Sequence, residues 1–209
     1  MQINIIACLD QNGAIGYKNQ LIFHIRKDME RFKQLTLNHT IVMGRKTYDS
    51  LPHGALPLRR NIVITQQEIQ LENCEVYHSL TDALDKCTDD IIFIIGGESI
   101  YKQCLNLADN LYLTIVDKKM PKADTYFPSI NSENWEIIDK EQFKEIDDAK
   151  KEIFSFSFIT FKNNRKSPIN SRFHDATFQY PHFVSSCTST VLMTFFVSKA
   201  RFFGRIFIS

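Results

Sequence analysis

Short apolar runs rich in β-branched residues recur through the first half of the chain, at residues 3–9, 40–43, 61–65, 75–77 and 91–95, each the length of a buried strand. Helical patterns separate them, at residues 26–35, in a turn near 47–51, at 79–87 and at 98–108. The third opens on Ser79 with Asp82 three residues on, a pairing of the kind that caps a first turn. Strands alternating with helices predict a mainly parallel sheet covered on both faces. After Ala108 the rhythm changes. Residues 110–116, 135–138 and 153–161 read as strands with no helix between them, and the last alternates Phe and Ile with Ser and Thr as a half-exposed antiparallel strand does. The pattern predicts an α/β domain, with an eight-stranded mixed, mainly parallel sheet, four flanking helices and no internal repeat.

The domain is expected to end at Lys162. From Asn163 the chain passes through Asn164, Arg165, Lys166, Ser167 and Pro168 into a stretch rich in Ser, Thr and Phe with little periodicity. Six of the 25 basic residues and one of the 24 acids lie in this tail, so residues 1–162 carry about −4 although the whole chain stands at +1. An acidic body does not suit nucleic acid. Residues 183–197 are too short and too rich in Ser and Thr for a membrane span, while 195–208 are basic and aromatic enough for a membrane surface. A disordered or incidental extension is the expectation for 163–209, with partner or membrane contact as alternatives. Cys8, Cys74, Cys87, Cys104 and Cys187 form neither a CxxC pair nor a Cys/His cluster, which argues for reduced thiols in a cytoplasmic protein and against a metal site. Residues 2–9 lack the basic start, long apolar run and small-residue cleavage site of a signal peptide.

The candidate chemistry begins with Asp28. At helical spacing it shares a face with Phe32 and lies next to Met29 and Leu35, whereas Lys27, Glu30, Arg31 and Lys33 can all reach water. A carboxylate facing apolar neighbours is costly, so an internal cation satisfies it or a ligand does; a solvated first-turn acid is the plainer alternative. Two turns at strand ends could hold phosphates. In Gly44-Arg45-Lys46-Thr47 a strand ends in glycine and a helix starts with two cations and a hydroxyl; in Ile95-Gly96-Gly97-Glu98-Ser99-Ile100-Tyr101 paired glycines let the backbone approach a ligand. Each alone could be an ordinary turn. Together, at strand C-termini of one sheet, they favour a dinucleotide, although the G-x-G-x-x-G pattern is absent.

The order Ile6-Ala7-Cys8, Asn12-Gly13-Ala14-Ile15-Gly16, Asp28-Met29 with Phe32, Val42-Met43-Gly44-Arg45-Lys46-Thr47, Arg59-Arg60-Asn61, Ile95-Gly96-Gly97 with Tyr101, Leu113-Thr114 and Asp124-Thr125-Tyr126-Phe127-Pro128 closely resembles bacterial dihydrofolate reductases over residues 1–162. The resemblance implies NADPH-dependent reduction of dihydrofolate to tetrahydrofolate by a monomer with no metal. It assigns the catalytic positions to Asp28, Thr114 and Leu21. Asp28 would hold the pterin ring nitrogen and amino group and support protonation of N5, with Thr114 steadying both. Ile6, Met29, Phe32 and Leu51 would line the substrate site, and Arg59 would fork onto the glutamate carboxylate of folate.

For NADPH, the resemblance implies backbone groups of Cys8 and Ile15 at the nicotinamide carboxamide with Tyr101 beside the ring, and Ala14, Gly16, Asn19, Gln20, Gly44, His78, Ile95, Glu98, Ser99 and Ile100 as further cofactor-binding positions. Lys46 and Thr47 with the Gly96-Gly97 turn would bind the pyrophosphate, while Arg45, Thr65 and Gln66 would bracket the adenosine 2′-phosphate. Residues 12–23 would form a loop closing over the nicotinamide. The chain departs from the family at Leu21, Ile22-Phe23, Arg26, Leu58 and Glu98, where methionine, Pro-Trp, proline, glycine and glycine are common. Glu98 beside the phosphate turn should weaken cofactor binding unless it faces outward. A pyrimidine reductase of the same architecture, or a domain binding nucleotide or folate without turnover, are the alternatives.

Overall fold

A computed structural model of the chain describes residues 1–147 and 152–166. The expectations for the remainder of the tail lie outside the described residues. Eight strands form the main sheet in the order β10-β11-β8-β1-β7-β4-β5-β6. They are β1 (Gln2–Asp10), β4 (Thr40–Gly44), β5 (Arg60–Ile64), β6 (Glu75–Tyr77), β7 (Ile91–Gly96), β8 (Asn110–Val116), β10 (Trp135–Asp147) and β11 (Glu152–Asn163). A second sheet of three short strands, β2 (Ala14–Tyr17), β3 (Gln20–Leu21) and β9 (Thr125–Tyr126), is ordered β3-β2-β9. The four helices are α1 (Arg26–Thr36), α2 (Arg45–Asp49), α3 (Leu80–Asp85) and α4 (Glu98–Cys104). The expected eight-stranded mixed sheet and four helices are therefore present.

β1 lies at the centre, parallel to β7 on one side and to β8 on the other. Its side chains serve two cores by simple alternation: Ile3, Ile5, Ala7 and Leu9 enter one, and Ile6 enters the other. β7 does the same with Ile92 and Ile94 against Phe93, and β5 with Ile62 against Val63. Burial on both faces is why these strands read as continuous apolar runs. The antiparallel end is β8-β11-β10, where Phe156 and Phe158 join Ile25 and Val116 in a third cluster beneath the start of α1.

Several boundaries differ from the sequence expectation. β10 runs to Asp147 rather than stopping near residue 138, because its second half, rich in Lys and Glu, pairs along β11 at the sheet edge. α4 is shorter, ending at Cys104 and followed by turns to Ala108. The segment 12–23 contains a hairpin, in which Lys18 and Asn19 both take positive φ (50° and 61°) between β2 and β3. β11 extends to Asn163, whose buried side chain donates to Ala108 O at 2.8 Å and whose amide donates to Asp109 O at 2.9 Å.

Candidate functional site

The C-terminal ends of β1 and β8 lie side by side, with Cys8 opposite Thr114, and Asp28 reaches this point from the first turn of α1. Thr114 donates its hydroxyl to Asp28 Oδ1 at 2.5 Å. Thr114 is buried and Asp28 half-buried. Loss of water around the carboxylate pushes its pKa up, while the Thr114 bond and the nearby Arg31 charge pull the other way. The Cys8 thiol is held well above its ordinary pKa by burial and by Asp28, so it stays a neutral thiol. Asp28 is thus a carboxyl with a fixed hydroxyl partner and a raised proton affinity, suited to engaging a hydrogen-bonding ring.

Arg31 departs from the sequence reading, which placed it in water. Its guanidinium lies 4.4 Å from the Phe158 ring centroid and 5.8 Å from that of Tyr112, and Nη2 donates to Thr160 Oγ1 at 3.3 Å. The charges around it on α1 gave no sign that β11 would offer an aromatic face.

Ile6, Phe32 and Leu51 come together in the second core cluster, forming an apolar wall beside Asp28. Arg59 stands next to it, its Cζ 5.9 Å from the Phe32 centroid. Two donors of the Arg59 fork are held, Nε by Thr36 Oγ1 at 2.8 Å and Nη1 by Pro57 O at 2.7 Å. Leu58, just before it, sits at φ 56° and is 71% exposed. Met29 and Leu21 are 48% and 51% exposed, at the rim rather than the wall.

On the other side of β1 a cleft of about 1070 Å³ opens between the ends of β4 and β7 and the β2-β3 hairpin. Cys8, Ile15, Gly16, Asn19, Gln20, Leu21, Gly44, Arg45, Lys46, Thr47 and the whole run from Ile95 to Tyr101 line it. Its floor is backbone. A Cβ on Gly96, whose φ is +137°, would lie 2.9 Å from Thr47 Oγ1; one on Gly97 would lie 3.3 Å from the same atom; and one on Gly44 would lie 3.3 Å from Ile100. The Gly96-Gly97 peptide is cis. Tyr101 is buried and donates its hydroxyl to Ile6 O at 2.8 Å, which ties α4 to β1 between the two clefts.

Glu98 does line this cleft, but its charge is engaged. Oε1 accepts from Lys102 Nζ at 2.5 Å and Oε2 from the Tyr126 amide at 3.0 Å, which holds its pKa below the usual carboxylate range. The cost expected of an acid at this turn is therefore reduced. Arg45 pairs with Asp49 at 2.7 Å and donates Nη1 to Gln67 at 3.0 Å. It thereby reaches the group formed by Thr65, Gln66 and His78, in which His78 Nδ1 meets Thr65 O at 2.9 Å and Gln66 Nε2 donates to His78 O. These three lie beyond the main cleft, and Ala14 is buried behind it with its amide donating to Asp10 Oδ1 at 2.9 Å.

Lys18, Ser50, Ile64, Lys102, Asp124 and Thr125 also line the cleft and were absent from the sequence-derived site. Asp124 had a signal, since it stood in a recognised motif: its Oδ2 accepts from the Lys18 amide at 2.8 Å and its own amide donates to Gly16 O at 3.1 Å, fastening the hairpin over the cleft.

Comparison with known proteins gives a consistent picture. The family model described as dihydrofolate reductase matches residues 2–163. The dihydrofolate reductase of Bacillus subtilis is 34% identical over 167 residues, covering 79% of this chain and 96% of that protein. That of Buchnera aphidicola subsp. Baizongia pistaciae is 38% identical over 168 residues, covering 79% and 99%. A solved dihydrofolate reductase from Enterococcus faecalis, complexed with NADP(H) and RAB-propyl, superposes with a TM-score of 0.69 at 28% identity, over 78% of this chain and 96% of that one.

Proposed function

The chain belongs to the dihydrofolate reductase family and is an oxidoreductase that reduces dihydrofolate to tetrahydrofolate with NADPH; from that premise we propose how its residues divide the work. Asp28 and Thr114 hold the pterin ring, and Asp28 supports delivery of a proton to the ring nitrogen. Ile6, Phe32 and Leu51 pack its faces. Arg59, held by Thr36 and Pro57, presents the rest of its fork to the substrate carboxylate.

The second cleft fits the cofactor. Its glycine floor has no room for a side chain at Gly96 and little at Gly97, and Lys46, Thr47 and Arg45 bring polar and positive groups to its edge. NADPH, when bound, supplies the hydride. Gly44, Gly96, Gly97, Lys46 and Thr47 bind its pyrophosphate, and Arg45 with Thr65, Gln66 and His78 forms the site for the 2′-phosphate. The β2-β3 hairpin shields the nicotinamide from water. The carrying observation is the Asp28–Thr114 pair, which joins α1 to β8 next to Cys8 of β1, a residue that lines this cleft. Such placement is the protein's task in this reduction: the site would bring cofactor and substrate together beside Asp28, which supports the proton that the ring nitrogen must gain along with the hydride.

The same reading includes a cytoplasmic monomer. The cysteines at 8, 74, 87 and 104 are free, as a reducing compartment would keep them, and the cofactor cleft is complete within one chain. The reductase domain in this reading closes at about Lys162, and the Asn163 side chain bonded to Ala108 O, which fastens the end of β11 to the turn before β8, supports that boundary. The testing experiment is loss of NADPH absorbance on adding dihydrofolate to the purified chain. Robust turnover with NADPH, weak turnover with NADH and none with a reducible pyrimidine support the reading; turnover of the pyrimidine alone, or tight binding of both ligands with no absorbance change, would overturn it.

A further inference from the structure

Arg31 is the charged group near the substrate site that the reading above leaves without a task. Among the described residues, its Nη1 is the buried side-chain nitrogen that lacks a hydrogen-bond partner, and no carboxylate of that set lies within ion-pairing distance. A cation placed against Phe158 and Tyr112 with a donor unused is costly to maintain. The arrangement is nonetheless well fixed, by Thr160 through Nη2 and by the ring of Phe158.

The groups facing this cation are Asp28 from the preceding turn of α1, Tyr112 of β8, and Asp139 and Glu141 of β10. Asp28 in turn faces Cys8 of β1, Thr114 of β8 and Tyr101 of α4. Within that circle Arg31 carries the one positive charge, and Asp28 is the group whose proton bears on the reduction. The two are three residues apart on one helix, a spacing that brings side chains into register.

We propose that Arg31 is a positioning residue for the reduction: a half-buried cation, clamped by Phe158 and Thr160, that steadies Asp28 from the next turn of its helix and sets the pH range of hydride transfer. The proposal rests on Asp28 as the acid. An acid that must hold a proton loses its effect as pH rises through its pKa. A fixed cation favours the carboxylate and lowers that midpoint, so removing the cation raises it.

The experiment is a single-turnover pH profile, following NADPH absorbance in the full chain. Arg31→Gln should move the high-pH fall in rate upward by about half a unit or more. Arg31→Lys, which keeps the charge and loses the fork, should hold the midpoint near that of the parent. Arg31→Met, which keeps an apolar stem against Phe158, replaces the Gln variant should that one fail to fold. A uniform loss of rate at every pH with an unmoved midpoint would reduce Arg31 to a packing role and overturn the proposal. Asp28→Asn separates the two claims: it should abolish the fall altogether, and a parental profile in that variant would sink the Asp28 assignment and the Arg31 proposal with it.

Discussion

The two clefts flank one strand and are built from different materials. The cofactor side is shaped by main chain: three glycines at the ends of β4 and β7, where no Cβ is tolerated comfortably, and short turns that leave polar backbone groups facing inward. The substrate side is shaped by side chains, with one carboxyl, one hydroxyl, an apolar wall and an arginine fork arriving from α1, β8 and the loop before β5. A backbone surface offers shape and many weak donors, so most substitutions near it are survivable provided the glycines stay. A side-chain constellation concentrates its chemistry in single atoms and fails one residue at a time.

That contrast can be broken or sharpened by substitution. The largest effect belongs to Asp28→Asn, which removes the acid but keeps the size and the Thr114 contact; turnover at neutral pH should drop by about two to four orders of magnitude with the fold intact. Turnover near the parent's would erase the distinction between the clefts. Gly96→Ala probes the main-chain side. With a Cβ 2.9 Å from Thr47 Oγ1 and a φ of +137°, the variant must shift Thr47 or the turn. Its NADPH dissociation constant, read by fluorescence titration, should rise roughly tenfold to a hundredfold while dihydrofolate binding changes little, as loss of about one charge-assisted contact predicts.

Arg59→Lys returns to the side-chain surface. A lysine cannot make the planar double bond to a carboxylate, so the Michaelis constant for dihydrofolate should rise about tenfold with turnover nearly unchanged. A loss confined to turnover would remove Arg59 from the binding surface. The smallest effect is a gain. Leu58 occupies left-handed backbone while 71% exposed, so its side chain contributes little packing in return for the strain. Leu58→Gly should raise stability by about 0.5–1 kcal/mol, after allowing for the freer unfolded chain, and lift the melting temperature by about 1–3 °C. An unchanged or lower melting temperature would show that this loop is set by contacts rather than by its torsions.

Legibility in the sequence followed the same division. The parallel strands were visible because both faces are buried, and the cap of α3 because it is local: Ser79 accepts from the Asp82 amide at 3.0 Å. The short strands β2, β3 and β9 carry too few residues for a period to register, and the outer half of β10 hides its pairing behind Lys and Glu. At the site, the glycine turns, Asp28 and Thr114 followed from chain order and from the resemblance. Arg31 did not, because whether an arginine on a charged helix meets water or an aromatic face depends on a strand more than a hundred residues away. Glu98 was legible as a problem and only in part as its solution: Lys102 stands at i+4 on the same helix, but the Tyr126 amide becomes a neighbour only through folding.

The position of β11 has a consequence in time. It is the last strand of the domain in sequence, yet it lies inside the sheet, between β8 and β10. As the chain is synthesised, β8 must wait with an open edge until residues 152–163 arrive, and β10 has no neighbour in the sheet before then. Phe158 and Thr160, which support the helix bearing Asp28, are delivered in that same final segment. A nascent chain can therefore assemble its dinucleotide half early, while the half that receives the substrate acquires its backing only at the end.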